Sequence, residues 1–167
     1  QEEFEATFQR AVEIRLRADV PVVGYLSGGV DSTTVMYAAS QVKGEPIPAF
    51  TIQIPAEGLD ETDRALMAAE RIGSRPTVAR CSSDVITAAY PKLIEASEAP
   101  VMDTACSALY CLAAEVRSQG YKVALTGEGA DDWLAGYPWF KTGKLLGMLD
   151  WGNFRPGNWL RQWALRR

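Results

Sequence analysis

Residues 21–39, PVVGYLSGGVDSTTVMYAA, decide the fold. PVVGYLS is a β-rich apolar run of the kind that forms a strand buried on both faces. The hydrophobic period then changes. Thr33, Val35, Met36 and Ala39 suit a helix, and a glycine is expected to end it near Gly44. Between strand and helix lies the hexapeptide Ser27-Gly28-Gly29-Val30-Asp31-Ser32.

The same alternation extends outward in both directions. Upstream, residues 2 to 17 set Phe4, Phe8, Ala11, Val12 and Leu16 at helical spacing opposite a charged side, which predicts an amphipathic helix. Downstream, IPAFTIQI (47–54) reads as a strand, and a helix runs from about Glu61 to Ile72, stopped by Gly73. PTVAR (76–80) is a shorter strand. Residues 83 to 96 and 104 to 119 read as helices, the second closed by Gly120, and KVALT (122–126) as another buried strand. Strands alternating with helices over short connections predict an α/β fold: a doubly wound parallel sheet with helices on both faces. Residues 138–167 break the rhythm and show only short helical stretches, such as 158–166. We therefore expect a main domain over 1–137 and a separate aromatic, basic, helical tail over 138–167.

Composition narrows the chemistry. A chain of 167 residues with 47% hydrophobic and 23% charged residues has the size and make-up of one globular domain. No apolar run approaches the length of a membrane span and no signal peptide opens the chain, so a cytoplasmic protein is expected. The chain has no histidine, which excludes histidine zinc sites, Ser-His-Asp triads and Cys-His dyads within it. Cys81, Cys106 and Cys111 are too few and too irregular for a disulfide framework. Carboxylates, hydroxyls, backbone amides and hard cations are left to carry any reaction.

Charge is uneven: residues 1–137 hold 11 basic and 20 acidic side chains, whereas 138–167 hold 6 basic and 1 acidic. The five tryptophans fall between Trp133 and Trp163. Trp139, Trp151, Trp159 and Trp163 with Arg155, Arg161, Arg166 and Arg167 could serve single-stranded nucleic acid or a membrane surface. Packing and protein interfaces are the commoner use of such aromatics, so neither nucleic acid nor membrane is expected as a partner. An exposed patch of this kind favours self-association into a homo-oligomer.

Two loops leave strand ends with unusual chemistry, and in an open parallel sheet ligands bind at those ends. In the first, adjacent glycines let backbone approach a ligand, the following helix offers unpaired N–H groups to an anion, and Ser27 and Ser32 add hydroxyls. Asp31 suits a magnesium ion bridging phosphates. The loop is neither a Walker A sequence nor GxGxxG. It resembles the SGGxDS signature of the PP-loop ATP pyrophosphatases, of the adenine nucleotide alpha-hydrolase-like fold, which cleave ATP between the α and β phosphates. The second loop, Thr126-Gly127-Glu128-Gly129-Ala130-Asp131-Asp132, holds a carboxylate between two glycines. Dipole stabilisation at a helix N-terminus would account for Asp131 and Asp132, but not for Glu128.

KVALTGEGADDWLAGY (122–137) resembles the [ST]GEGADExFxGY segment in the synthetase domain of glutamine-dependent asparagine synthetases. FTIQI, the Asp60-Glu61 pair and, more loosely, Glu98 to Pro100 and Asp103 to Tyr110 are similar to intervening parts of that domain. The resemblance implies that Leu26, Ile52, Thr126 and Gly127 line an adenosine pocket, partly through backbone groups. It implies that Ser27, Gly28, Gly29 and Ser32 hold pyrophosphate, and that Asp31 and Asp131 bind Mg2+. Aspartate would be adenylated by ATP, and ammonia would then displace AMP with Glu128 as the base. Departures from the family pattern are Asp132 for Glu, Trp133-Leu134-Ala135 for x-Phe-x, Thr33 for serine, and Thr104 in a stretch where arginine is usual. The family's glutaminase domain and the later part of its synthetase domain, with a lysine that contacts phosphates, are expected outside this stretch of chain, which reads as a fragment, a natural truncation or one part of a split enzyme. Alternatives on the same scaffold are a related amidotransferase, a macrolactam cyclase of the lasso-peptide type, or a non-catalytic ATP-binding module that needs a partner.

Overall fold

A computed structural model describes residues 2–147. Helix α1 (Glu2–Arg15) precedes strand β1 (Val22–Tyr25), helix α2 (Val30–Lys43) and strand β2 (Ala49–Gln53). Helix α3 (Thr62–Arg71), strand β3 (Thr77–Arg80), helices α4 (Ser83–Ser97) and α5 (Ala105–Ser118), and strand β4 (Val123–Leu125) follow. Short α6 (Ala130–Leu134) and α7 (Pro138–Gly147) complete the described elements. The four strands form one sheet in the order β3-β2-β1-β4. Every pairing is parallel, with Gly24 opposite Ala49, Val23 opposite Ala124 and Phe50 opposite Thr77.

Strand periodicity splits the core in two. Val22, Leu26 and Ala49 join side chains of α1, α2 and α3 in one cluster, while Val23, Phe50 and Ala79 join Leu112 and Val116 of α5 in the other. Helices thus cover both faces, which is why β1 is apolar at consecutive positions. On α3 the buried side chains include Ala65, Ala68 and Ala69, small enough to let that helix lie close to the sheet. Phe50, 1% exposed, meets Tyr121 edge to face at 5.8 Å.

Helix ends follow their sequence signals. Gly44 closes α2 in the left-handed conformation at φ 73°, and Ser82 caps α4 by accepting the Val85 N–H at 3.5 Å. Helix α4 buries none of its residues and continues through Pro91. It is tied to α5 by the Ser107 hydroxyl, which donates to the Ile86 carbonyl at 2.9 Å.

One expectation needs correction. KVALT was expected as a buried strand, but β4 has three residues, all half-buried, because β1 is its only sheet neighbour among the described residues. Residues 138–147 form helix α7, one short helical stretch of the kind expected beyond Tyr137. The stretch 158–166 lies outside the described residues. By packing, the chain divides into two compact units, one ending at Gly127 and the other beginning at Glu128. In the second unit Tyr137 stacks on Trp139 at 4.1 Å.

Truncating Phe50 to alanine should cost about 3–5 kcal/mol in a denaturant titration. A loss below about 1 kcal/mol would show that the cluster around Leu112 and Val116 refills the space.

Candidate functional site

The chain steps from β1 to β2 to β3 on one side of β1 and returns to place β4 on the other. At such a reversal the loops leaving the two strands that flank it open a crevice at their carboxyl ends. Here those loops are Leu26–Gly29 after β1 and Thr126–Gly127 after β4, the two segments with unusual chemistry.

The first loop is held by its own hydroxyls. Ser27 Oγ and Ser32 Oγ lie 3.0 Å apart, and Ser32 Oγ accepts the Ser27 N–H at 3.2 Å. Ser27 Oγ accepts the Gly29 N–H at 3.3 Å. Gly29 stands at the N-cap of α2 with no side chain capping the helix, which leaves amides at the positive end of the dipole without a side-chain partner. Asp31 is half-buried in that turn and Ser32 is buried. Backbone amides, two hydroxyls and one carboxylate on a helix N-terminus can hold a metal-bound oxyanion chain.

Glycine is required at two positions for steric reasons. Gly28 has φ 76°, and a Cβ there would run into the backbone of α3 at Arg64 and stand 2.7 Å from the Ala65 nitrogen. At Gly127 a Cβ would stand 2.7 Å from the Ser32 nitrogen and 3.0 Å from the Asp31 carbonyl carbon. The end of β4 therefore lies directly against the first turn of α2, bringing Thr126 and Gly127 to Asp31 and Ser32.

Leu26 and Ile52 are placed less simply. Leu26 is 1% exposed in the cluster beneath α2, and its N–H donates to the Phe50 carbonyl at 2.9 Å. Ile52 packs against the cluster on the opposite sheet face. Their side chains do not share a wall, and the Leu26 side chain is closed off from any ligand.

In the second unit, Glu128 is exposed and precedes Gly129, which turns at φ 87° into α6. Asp131 is half-buried, its backbone carbonyl accepts the Gly136 N–H at 3.0 Å, and a Cβ at Gly136 would meet its carboxylate. Asp132, then desolvation, Asp131 and Glu128, push the Tyr137 hydroxyl above its ordinary pKa. This carboxylate cluster was legible in the sequence, whereas Tyr137 beside it was not singled out. Among the described residues no set of three Cys, Asp or Glu side chains converges as a metal cage. One or two carboxylates with phosphate oxygens and water are the usual Mg2+ arrangement, so half-buried carboxylates of this kind fit a phosphate-bound ion and not a free one. Cys81 carries no nucleophile signal: burial raises its thiol to about 11, with Cys111 and Glu115 adding to it.

The sheet order and the loop at its switch point define a PP-loop nucleotide fold of the adenine nucleotide alpha-hydrolase-like type. The U34-tRNA thiolase NcsA from Methanococcus maripaludis superposes with a TM-score of 0.57 at 18% identity, covering 90% of this chain and 55% of that one. The NH3-dependent NAD synthetase from Campylobacter jejuni superposes with a TM-score of 0.51 at 16% identity, covering 81% of this chain and 60% of that one. Within that fold the chain belongs to the asparagine synthase family, whose profile matches residues 3–166. The Mycobacterium tuberculosis protein named as a glutamine-hydrolysing asparagine synthetase is 39% identical over 137 residues, 81% of this chain and 21% of that protein. The amidase chyE of Penicillium rubens is 33% identical over 145 residues, 78% of this chain and 22% of that one. The chain thus spans about a fifth of the length of the curated relatives it matches.

Gly28→Ala combines a left-handed φ with a backbone clash and should cost more than Gly44→Ala, which has the same φ sign and open space. Chemical denaturation should give about 1–2 kcal/mol for Gly44→Ala and at least about 2 kcal/mol more for Gly28→Ala. Equal losses would remove the steric argument.

Proposed function

We propose that this chain carries the ATP-binding and adenylating part of an asparagine synthetase-type ligase. The observation that carries the reading is the contact of Gly127 with Asp31 and Ser32, which puts the SGGVDS loop and the start of the TGEGAD segment at one switch point. Ser27, Gly28, Gly29 and Ser32 would take the β and γ phosphates on hydroxyls and backbone amides. Thr126 and Gly127, with the backbone of Leu26 and the edge of β2 near Ile52, would border the nucleoside. Asp31 and Asp131 would hold Mg2+, which offsets charge on the separating phosphates.

The reaction follows from what each group can do. The side-chain carboxylate of aspartate attacks the α phosphorus of ATP, an oxygen–phosphorus bond forms, and the bond to pyrophosphate breaks. The mixed anhydride has AMP as its leaving group, which a free carboxylate lacks. Ammonia then attacks the acyl carbon, and the nitrogen sheds a proton as AMP departs. Glu128, exposed at the head of α6, is suited to accept that proton. In a full-length enzyme the ammonia would come from a glutaminase domain. The relatives' names and the family support this reading for the acceptor and the nitrogen source.

The test is pyrophosphate release from Mg-ATP by the 167-residue chain, with and without aspartate and ammonium. Aspartate-dependent release is expected, and ATP binding with no release under any of these conditions would favour a non-catalytic module instead. Glu128→Gln should leave ATP affinity unchanged and slow amide formation by about a hundredfold or more. Equal loss of binding and turnover would overturn the assignment of Glu128 as base.

A further inference from the structure

The loop that joins β2 to α3 carries an acidic residue that the reaction does not use. Asp60 Oδ1 accepts the Thr62 N–H at 2.9 Å and the Thr62 hydroxyl at 2.5 Å. Its other oxygen accepts from Gln53 Nε2, on the last residue of β2, at 3.4 Å. Thr62 is the first residue of α3 and is buried, whereas Glu61 at the N-cap makes no capping bond and instead pairs with Arg64 at 3.0 Å. Asp60 therefore fastens the start of α3 to the carboxyl end of β2.

One turn further on, α3 presents the Arg64 carbonyl and the Ala65 amide to Gly28 with no room for even a methyl group between them. Ala65 is fully buried, so α3 cannot retreat there without opening the core. A drift of the first turn of α3 would therefore press on Gly28, in the same loop as the hydrogen-bonded Ser27, Gly29 and Ser32.

We infer that Asp60 is a positioning residue for the phosphate-binding loop, acting through the first turn of α3, and that it does so as a hydrogen-bond acceptor at the helix start. The inference rests on the reading of that loop as an ATP site. The two Thr62 hydrogen bonds, larger in effect than that from Gln53, also hold the Asp60 carboxyl below its ordinary pKa. That is the response expected of a carboxylate committed to accepting.

The experiment compares Asp60→Ala, which removes the acceptor, with Asp60→Asn, which keeps an acceptor oxygen without the charge, and with the milder Asp60→Ser. Backbone hydrogen exchange and Mg-ATP affinity are measured for each in the full chain. Asp60→Ala should speed exchange at Thr62–Ala65 and at Gly28–Ser32, leave α5 unchanged, and weaken ATP binding about fivefold or more, the scale of a lost cap. Asp60→Asn should restore both readouts to within about twofold of the parent. Faster exchange confined to the start of α3, with the loop and ATP affinity untouched, would overturn the inference. So would an Asn variant as impaired as the Ala variant. If the parent chain bound no ATP, the ATP-site reading would fall, and loop exchange would still decide whether Asp60 controls the loop. Should Asp60→Ala fail to fold, the Ser and Asn variants carry the same comparison.

Discussion

The whole site depends on one constraint: strand β1 lies between two parallel neighbours, β2 and β4, and all three strands end at the same edge. A central parallel strand has its backbone groups satisfied on both sides, so it reaches its end as a fixed rod. The chain must then turn at once into α2, and Gly28 and Gly29 make that turn within the width of the loop. Because β4 ends beside β1, its own exit meets the first turn of α2 at Gly127. The loop's shape follows from the sheet order, and its chemistry from what is left uncapped.

In the SGGVDS loop the serine hydroxyls and backbone amides bond to one another. Incoming phosphate oxygens would replace Ser–Ser and Ser–Gly contacts with stronger charge-assisted ones. On the proposed reading, binding would be an exchange of partners within a formed loop, with little ordering entropy spent. The alanines that let α3 sit close to the sheet contribute to this order from below.

Much of this was legible in the sequence. Consecutive apolar residues in 21–26, the switch to helical period after Ser32 and the recurring glycines at helix ends recorded both the parallel sheet and its helices. The two glycine-bearing loops marked the strand ends that the sheet order brings together. What stayed hidden was set by distance along the chain. Nothing local to Gly28 announces that its Cβ space is taken by Arg64, thirty-six positions later in the numbering. Nor does KVALT reveal that its strand has a single sheet neighbour among the described residues. Leu26 and Ile52 are grouped only by the family resemblance, and strand alternation sends their side chains to opposite faces.

The contact between Gly28 and α3 separates two histories that the hexapeptide could have. A descendant of this domain that ceased to handle nucleotides would be free to lose Asp31, whose only argument here is chemical. It would not be free to replace Gly28, whose absence of a side chain is demanded by a neighbouring helix. Gly28 is thus held by packing, whereas Asp31 stands or falls with the proposed function. In comparing lineages of this fold, the aspartate is the position to follow.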